Sequence, residues 1–177
     1  MARKKKPESE KNGTAKASGA PAASGQPDPE NAQFGILVQF VKDISFESPN
    51  APVTLQSPGE NPKLEVNVHV QAVKLGDEVY EVDLMLEAKA ESDVGVIYNI
   101  ELAYGTVFQA SNIPEDYLKP VLFVDAPTIM FPYLRRVVSD LTRDGGFQPL
   151  LLDPIDFGGL FQQNGEQAQI HDPQAAN

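Results

Sequence analysis

Two histidines and no cysteine leave this 177-residue chain with few side chains able to act as nucleophile, general base or soft metal ligand. His69 falls on the polar side of an alternating apolar stretch, and His171 lies about a hundred residues away in a polar segment near the C-terminus. A general base needs an orienting partner and a zinc site needs clustered ligands; these two positions suggest neither. The phosphate-loop, dinucleotide, nucleophile-elbow and zinc-protease patterns GxxxxGK, GxGxxG, GxSxG and HExxH are missing from the sequence. Carboxylates are abundant, yet they recur at alternating polar positions where exposure should hold their pKa values near normal. The reading is a protein that is not an enzyme, with no catalytic residue, metal or cofactor.

Charge then narrows the partners. The chain carries 25 acidic and 14 basic residues, a formal net charge of −11. Residues 1–33 hold six of the bases (Arg3, Lys4, Lys5, Lys6, Lys11, Lys16) and four of the acids, with no aromatic or branched aliphatic side chain. Such a segment cannot bury enough apolar surface to offset its ordering entropy, so a disordered N-terminal extension is expected over 1–33. The remaining 144 residues hold 8 basic and 21 acidic side chains, a net charge of −13. That balance argues against nucleic acid, whose phosphates require a basic footprint. No apolar stretch approaches the roughly 20 residues of a membrane helix, and the basic N-terminus is followed by no apolar run. Direct membrane insertion and a secretory signal are therefore not expected, and the expected location is cytoplasmic.

The elements that must position any site follow from periodicity. Ile36, Val38, Phe40, Ile44 and Phe46 share one parity against Gln39, Asp43, Ser45 and Glu47, which predicts a half-buried strand. Leu64 to Gln71 and Tyr80 to Glu87 alternate in the same way around Gly76 and Asp77, an antiparallel hairpin. A fourth strand puts Val96, Tyr98, Ile100 and Leu102 on one face. Four strands with one apolar face each need a helical cover on that face. The first helix is expected to open at Ser111 or Asn112 and to kink or end at Pro120. The second carries Leu134, Val137, Val138 and Leu141 at i, i+3, i+4, i+7, tolerates Pro132 only in its first turn, and stops at Gly145 and Gly146. A weak last helix is expected near Asp156 to Gln163, then a flexible tail over 164–177. Between the first two strands lies a proline-rich loop, Ser48 to Pro62, long enough to suggest a functional role.

A meander of these strands gathers Asp43, Glu47, Glu65, Glu81, Asp83, Glu87 and Glu101 on one polar face, with Lys89 as the main counter-charge. One sign of charge over one face suits docking of a basic partner. The surplus of apolar side chains outside the strands suits an open apolar groove.

Four islands carry a family resemblance: Val41-Lys-Asp-Ile-Ser-Phe-Glu-Ser-Pro-Asn-Ala-Pro52, Gly76-Asp-Glu-Val-Tyr-Glu-Val82, Met130-Phe-Pro-Tyr133, and Gly146-Phe-Gln-Pro-Leu150 with Pro154-Ile-Asp-Phe157. In that order they strongly resemble the protein-export chaperone SecB over about 34–163. The resemblance implies an α+β subunit, a four-stranded antiparallel sheet covered on one face by two main helices, assembled as a dimer of dimers. It implies an ATP-independent cytosolic holdase that binds unfolded preproteins and delivers them to the motor SecA. By the same resemblance SecA contacts fall on Asp43, Glu47 and Glu101, and groove positions for unfolded peptide on Val53, Leu55, Met130, Phe131 and Tyr133. The loop after the first strand lacks the tryptophan of some relatives. The alternative is an adaptor that docks a basic partner through the acidic face and holds no unfolded chain.

Overall fold

The computed structural model describes residues 31–165 and 168–172. Of the extension expected to be disordered over 1–33, residues 1–30 lie outside the described residues, and Gln33 already opens the first strand. Strand β1 (Gln33–Glu47) is followed by a helical turn α1 (Val53–Gln56) inside the proline-rich loop, then β2 (Lys63–Gly76), β3 (Val79–Ser92) and β4 (Gly95–Ser111). Helix α2 (Glu115–Pro120), α3 (Ala126–Asp144) and α4 (Phe157–Asn164) follow, and a two-residue strand β5 (Ile170–His171) closes the order.

The sheet runs β1-β4-β3-β2-β5. Its first four strands pair antiparallel, whereas β5 pairs parallel with β2 at Ala72 and Val73. The sheet is therefore five-stranded and mixed, which corrects the expected four antiparallel strands. Part of the stretch expected to be flexible tail supplies the fifth strand.

The even-numbered residues of β3 and β4 point to the helices: Val82, Leu84, Leu86, Ile100, Leu102 and Phe108 are buried there against Leu122, Met130, Leu134 and Val138. At about 1.5–3 kcal/mol for each large apolar side chain removed from water, this layer dominates the stability of the subunit.

Strand β1 departs from the simple alternation. Its register against β4 slips between Ile36 and Val38 and again between Val41 and Asp43. Each slip is a bulge that adds one unpaired residue and reverses which parity faces the core. Ile36 opposite Phe108, Ile44 opposite Leu102 and Phe46 opposite Ile100 face the helices, while Val38 opposite Val107 and Phe40 opposite Gly105 lie on the outer face. The single apolar face expected for Ile36, Val38, Phe40, Ile44 and Phe46 is thus divided between the two sides.

The helical layer also differs from expectation. Ser111 still belongs to β4, and Asn112 sits in the left-handed region at φ 56°, its N–H donating to Glu78 Oε1 at 3.0 Å, so neither caps the helix. Pro114 occupies the cap position instead. At Pro120 the chain does not stop: a π-helical turn over Val121–Asp125 carries α2 into α3. A wider turn accommodates the backbone bond that proline cannot make. Pro132 lies inside α3, not in its first turn. The helix survives because Met130, Phe131, Leu134 and Val138 are buried around it, outweighing the roughly 3 kcal/mol an interior proline costs. Its far end is tied down by Thr142, whose hydroxyl bonds the Val138 carbonyl at 3.0 Å and accepts the Leu150 N–H at 2.9 Å.

Candidate functional site

Strand pairing decides which acids meet on the outer face. Asp43 opposes Ala103, Ser45 opposes Glu101, and Glu47 opposes Asn99, so the β1 and β4 positions Asp43, Glu47 and Glu101 share that face. From the other side, Glu87 of β3 stands directly opposite Glu101, and Lys89 opposite Asn99. Glu65 of β2 opposes Lys89. Together Glu47, Glu65, Glu87 and Glu101, with Lys89 and Asn99, line a shallow depression of about 350 Å³. The direct Glu87–Glu101 pairing places like charges where cross-strand neighbours interact most strongly, an arrangement that costs stability. Lys89 is engaged with Glu91 at 2.5 Å, which raises the lysine pKa and lowers that of the glutamate. Asp43, Glu47, Glu65, Glu87 and Glu101 make no salt bridge among the described residues.

The other end of the face is neutralised internally. The second β1 bulge throws Lys42 across β4, where its Nζ lies 2.9 Å from Glu81 Oε1 and 2.6 Å from Asp83 Oδ2. The crossing is possible because β4 has Gly105 there: a Cβ on it would come within 2.7 Å of the Phe40 ring and 3.2 Å of Asp83 Oδ1. Asp83 is buried, and its Oδ1 has no hydrogen-bond partner among the described residues. Burial pushes the Asp83 carboxyl above the ordinary carboxylate range despite the lysine, while the hydrogen bond that Lys42 donates to Asp83 holds this more exposed amine above its usual value. The expectation of ordinary carboxylates across this face therefore fails at Asp83, because its side chain is shut under Lys42 and Phe40. Lys42 is the counter-charge that alternation alone did not reveal.

The five groove positions do not converge. Met130 is fully buried in the core; Phe131 is nearly so, its ring edge-on to Phe157 at 6.2 Å, and it also lines a hollow of about 450 Å³ with Pro132, Arg135 and Ile155. Tyr133 is exposed on α3 and stacks on Tyr104 at 6.4 Å, beside Val41 of β1, which pairs with Tyr104. Val53 and Leu55 are exposed on α1, beyond the C-terminal end of β1. Leu55 lies against Gly146, where a Cβ would come within 3.2 Å of its methyl carbon. Gly145 next to it is held close by Phe46, whose ring belongs to an aromatic cluster: Phe46–Tyr98 at 6.0 Å, Phe46–Phe147 at 6.3 Å and Tyr98–Phe147 at 5.2 Å. Sequence reasoning missed this cluster as a unit, although its members stand in strands and in the Gly146-Phe147 island. It gives the surface near the loop an aromatic floor that the missing loop tryptophan had put in question.

Beyond these, the open edge of β1 exposes Ile36, Val41 and Ile44 toward the helical side, and α3 exposes Ile129 beside Tyr133. Among the described residues no group of His, Asp and Glu is arranged to hold a metal, and no helix is long and apolar enough to cross a membrane.

Comparison with known proteins places these features. Residues 27–168 match the family model described as preprotein translocase subunit SecB. The chain is 44% identical over 136 residues to the protein-export protein SecB of Bartonella bacilliformis, covering 77% of this chain and 86% of that protein. It is also 44% identical to the protein of the same name from Rhodopseudomonas palustris, over 80% of this chain and 91% of the relative. A SecB-like chaperone of Mycobacterium tuberculosis, solved with a ChAD peptide from an antitoxin, shares the fold: TM-score 0.57 at 14% identity, over 69% of this chain and 90% of that one. A matched family model over four fifths of the chain, with relatives this similar over most of their length, means that the chain belongs to the SecB family of protein-export chaperones.

Proposed function

We propose that this chaperone is an ATP-independent holdase of the cytoplasm, which binds unfolded preproteins through apolar surfaces and hands them to SecA through its acidic sheet face. The observation that carries the reading is the separation of two opposite chemistries on one small subunit. The outer face presents Asp43, Glu47, Glu87 and Glu101, which make no salt bridge among the described residues, whereas the helical side and the loop present exposed Val53, Leu55 and Tyr133. Asp43, Glu47 and Glu101 are the proposed SecA contacts. A like-charged pair such as Glu87 and Glu101 is relieved when a basic partner arrives, which favours association electrostatically. Val53 and Leu55, the latter against Gly146, are the proposed client contacts, with Tyr133 as a separate patch.

Assembly as a dimer of dimers is supported by the β1 edge. A fifteen-residue edge strand with exposed Ile36, Val41 and Ile44 is an aggregation hazard unless another chain covers it. Joining several weak client contacts within one tetramer would raise avidity, because each contact after the first is intramolecular.

The test is the double substitution Asp43→Lys with Glu47→Lys. Binding of a permanently unfolded protein should be unchanged while SecA binding is lost. Retained SecA affinity at moderate salt refutes the docking assignment. An unchanged SecA interaction in a protein that never binds an unfolded chain would leave the adaptor reading in its place.

A further inference from the structure

The acidic face is neutralised at one end only. There Lys42 bridges Glu81 and Asp83 at 2.9 and 2.6 Å. At the other end Glu47, Glu65, Glu87 and Glu101 surround the hollow of about 350 Å³ and make no salt bridge among the described residues. The cation that lines this hollow, Lys89, is engaged with Glu91. Glu87 and Glu101 stand directly opposite one another, where like charges repel most strongly. The chain itself carries a matching segment. Residues 3–16 hold Arg3, Lys4, Lys5, Lys6, Lys11 and Lys16 against Glu8 and Glu10, a net charge of +4, and residues 17–27 are an uncharged run of Ala, Ser, Gly, Pro and Gln. The 25 residues from Lys6 to Asn31 reach at most roughly 80–90 Å when extended. The length of β1, from its start at Gln33 to Glu47 beside the hollow, is roughly 46 Å. The basic segment is long enough to reach the unneutralised end.

We infer that the basic segment 3–16 docks in the hollow between Glu47, Glu65, Glu87 and Glu101 of its own chain, and there competes with SecA for the acidic face. The inference rests on the reading of that face as the SecA dock and adds to it a built-in competitor. Such a contact asks for closely spaced cations and for no particular sequence; residues 3–6 supply four with no acid between them. Each exposed ion pair contributes at most about 1 kcal/mol, but a tethered ligand acts at an effective concentration of order a millimolar, so a weak contact is enough to occupy the hollow. If the segment leaves the hollow free for about a fifth to a half of the time, apparent SecA affinity is about two- to fivefold weaker than the intrinsic one. Lys42 is a precedent in the same sheet: a cation from this chain already closes the other end of the face.

The experiment compares the full chain with a full-length variant in which Arg3→Gln, Lys4→Gln, Lys5→Gln and Lys6→Gln are combined, all four lying outside the folded elements. The chain has no cysteine, so Ala2→Cys in each background carries a single nitroxide. At low salt the nitroxide should broaden the amide signals of Glu87 and Glu101 in the chain with its natural bases, and far less in the neutralised chain, with the difference gone at about 0.5 M salt. Without the label, the neutralised chain should bind SecA about two- to fivefold more tightly at low salt, and the ratio of the two affinities should return to one in the same high salt. Absence of broadening at low salt, or SecA binding that is equal or weaker after neutralisation, overturns the inference, while SecA binding by both chains keeps the docking reading intact. Failure of both chains to bind SecA overturns the docking reading and the competition with it.

Discussion

Lys42 is the residue whose removal should reveal most about how the acidic face is built. Lys42→Met keeps the length of the aliphatic stem and removes the cation that sits 2.6 Å from Asp83 and 2.9 Å from Glu81. Breaking a fully buried pair costs about 3–5 kcal/mol, and losing an exposed one costs at most about 1 kcal/mol. Here the acid is buried, but the lysine side chain is 43% exposed, so the expected loss lies between these limits, at about 1–3 kcal/mol near neutral pH.

The pH dependence gives the stricter test. Burial already raises the Asp83 carboxyl in the folded protein, and without Lys42 it rises further. A carboxyl with a raised folded pKa binds its proton more tightly folded than unfolded. Its contribution is therefore most favourable below the unfolded value of 3.8 and is lost as pH rises through the folded pKa. The variant should be most destabilised near neutral pH, with a deficit that shrinks as the pH is lowered toward the unfolded value of 3.8 and Asp83 takes up its proton. Urea unfolding at one fixed protomer concentration measures this, since assembly makes stability concentration-dependent. Adding Asp83→Asn to Lys42→Met should recover most of the loss. A variant within about 0.3 kcal/mol of the wild type at neutral and at acid pH, or a deficit that does not change with pH, refutes the account of the pair.

Two further outcomes follow from named contacts. Thr142→Val strips the hydroxyl that accepts the Leu150 N–H inside the protein, so unfolding experiments should find a loss of about 1–3 kcal/mol, with binding of unfolded protein little changed. Glu101→Gln relieves the like-charged pairing with Glu87 and should stabilise the subunit by up to about 1 kcal/mol, while weakening SecA binding most at low salt; calorimetry and a salt titration check the two halves.

Much of the fold was legible in the sequence, and the exceptions have physical causes. β3 and the inner face of β4 follow strict alternation, because both strands are covered on one side along most of their length. β1 misled because two bulges reverse its facing while apolar residues continue on both sides, and a bulge leaves no mark in a pattern of parity. Pro132 misled because local propensity said stop where burial of Met130, Phe131 and Leu134 said continue. β5 is two residues long, and its one signal was Ile170, the single branched aliphatic residue in 164–177. On the acidic face, parity placed Glu47, Glu65, Glu87 and Glu101 together, because those positions depend only on pairing. The Lys42 bridge and the buried state of Asp83 depend on a bulge, a glycine and an aromatic ring from three segments, which no local window contains. The groove residues were the least legible: a short island such as Met130 to Tyr133 spans a full helical turn, so its members necessarily point to different surroundings.

The central claim is that this SecB-family chain holds unfolded protein in an assembled state without nucleotide. Light scattering coupled to size exclusion, with and without a permanently unfolded protein, tests it most directly. The account predicts a particle of roughly 77 kDa, four times the 19.2 kDa subunit, which gains the mass of the unfolded chain in the absence of ATP. A particle that stays at its own mass whatever the concentration of unfolded protein would contradict it.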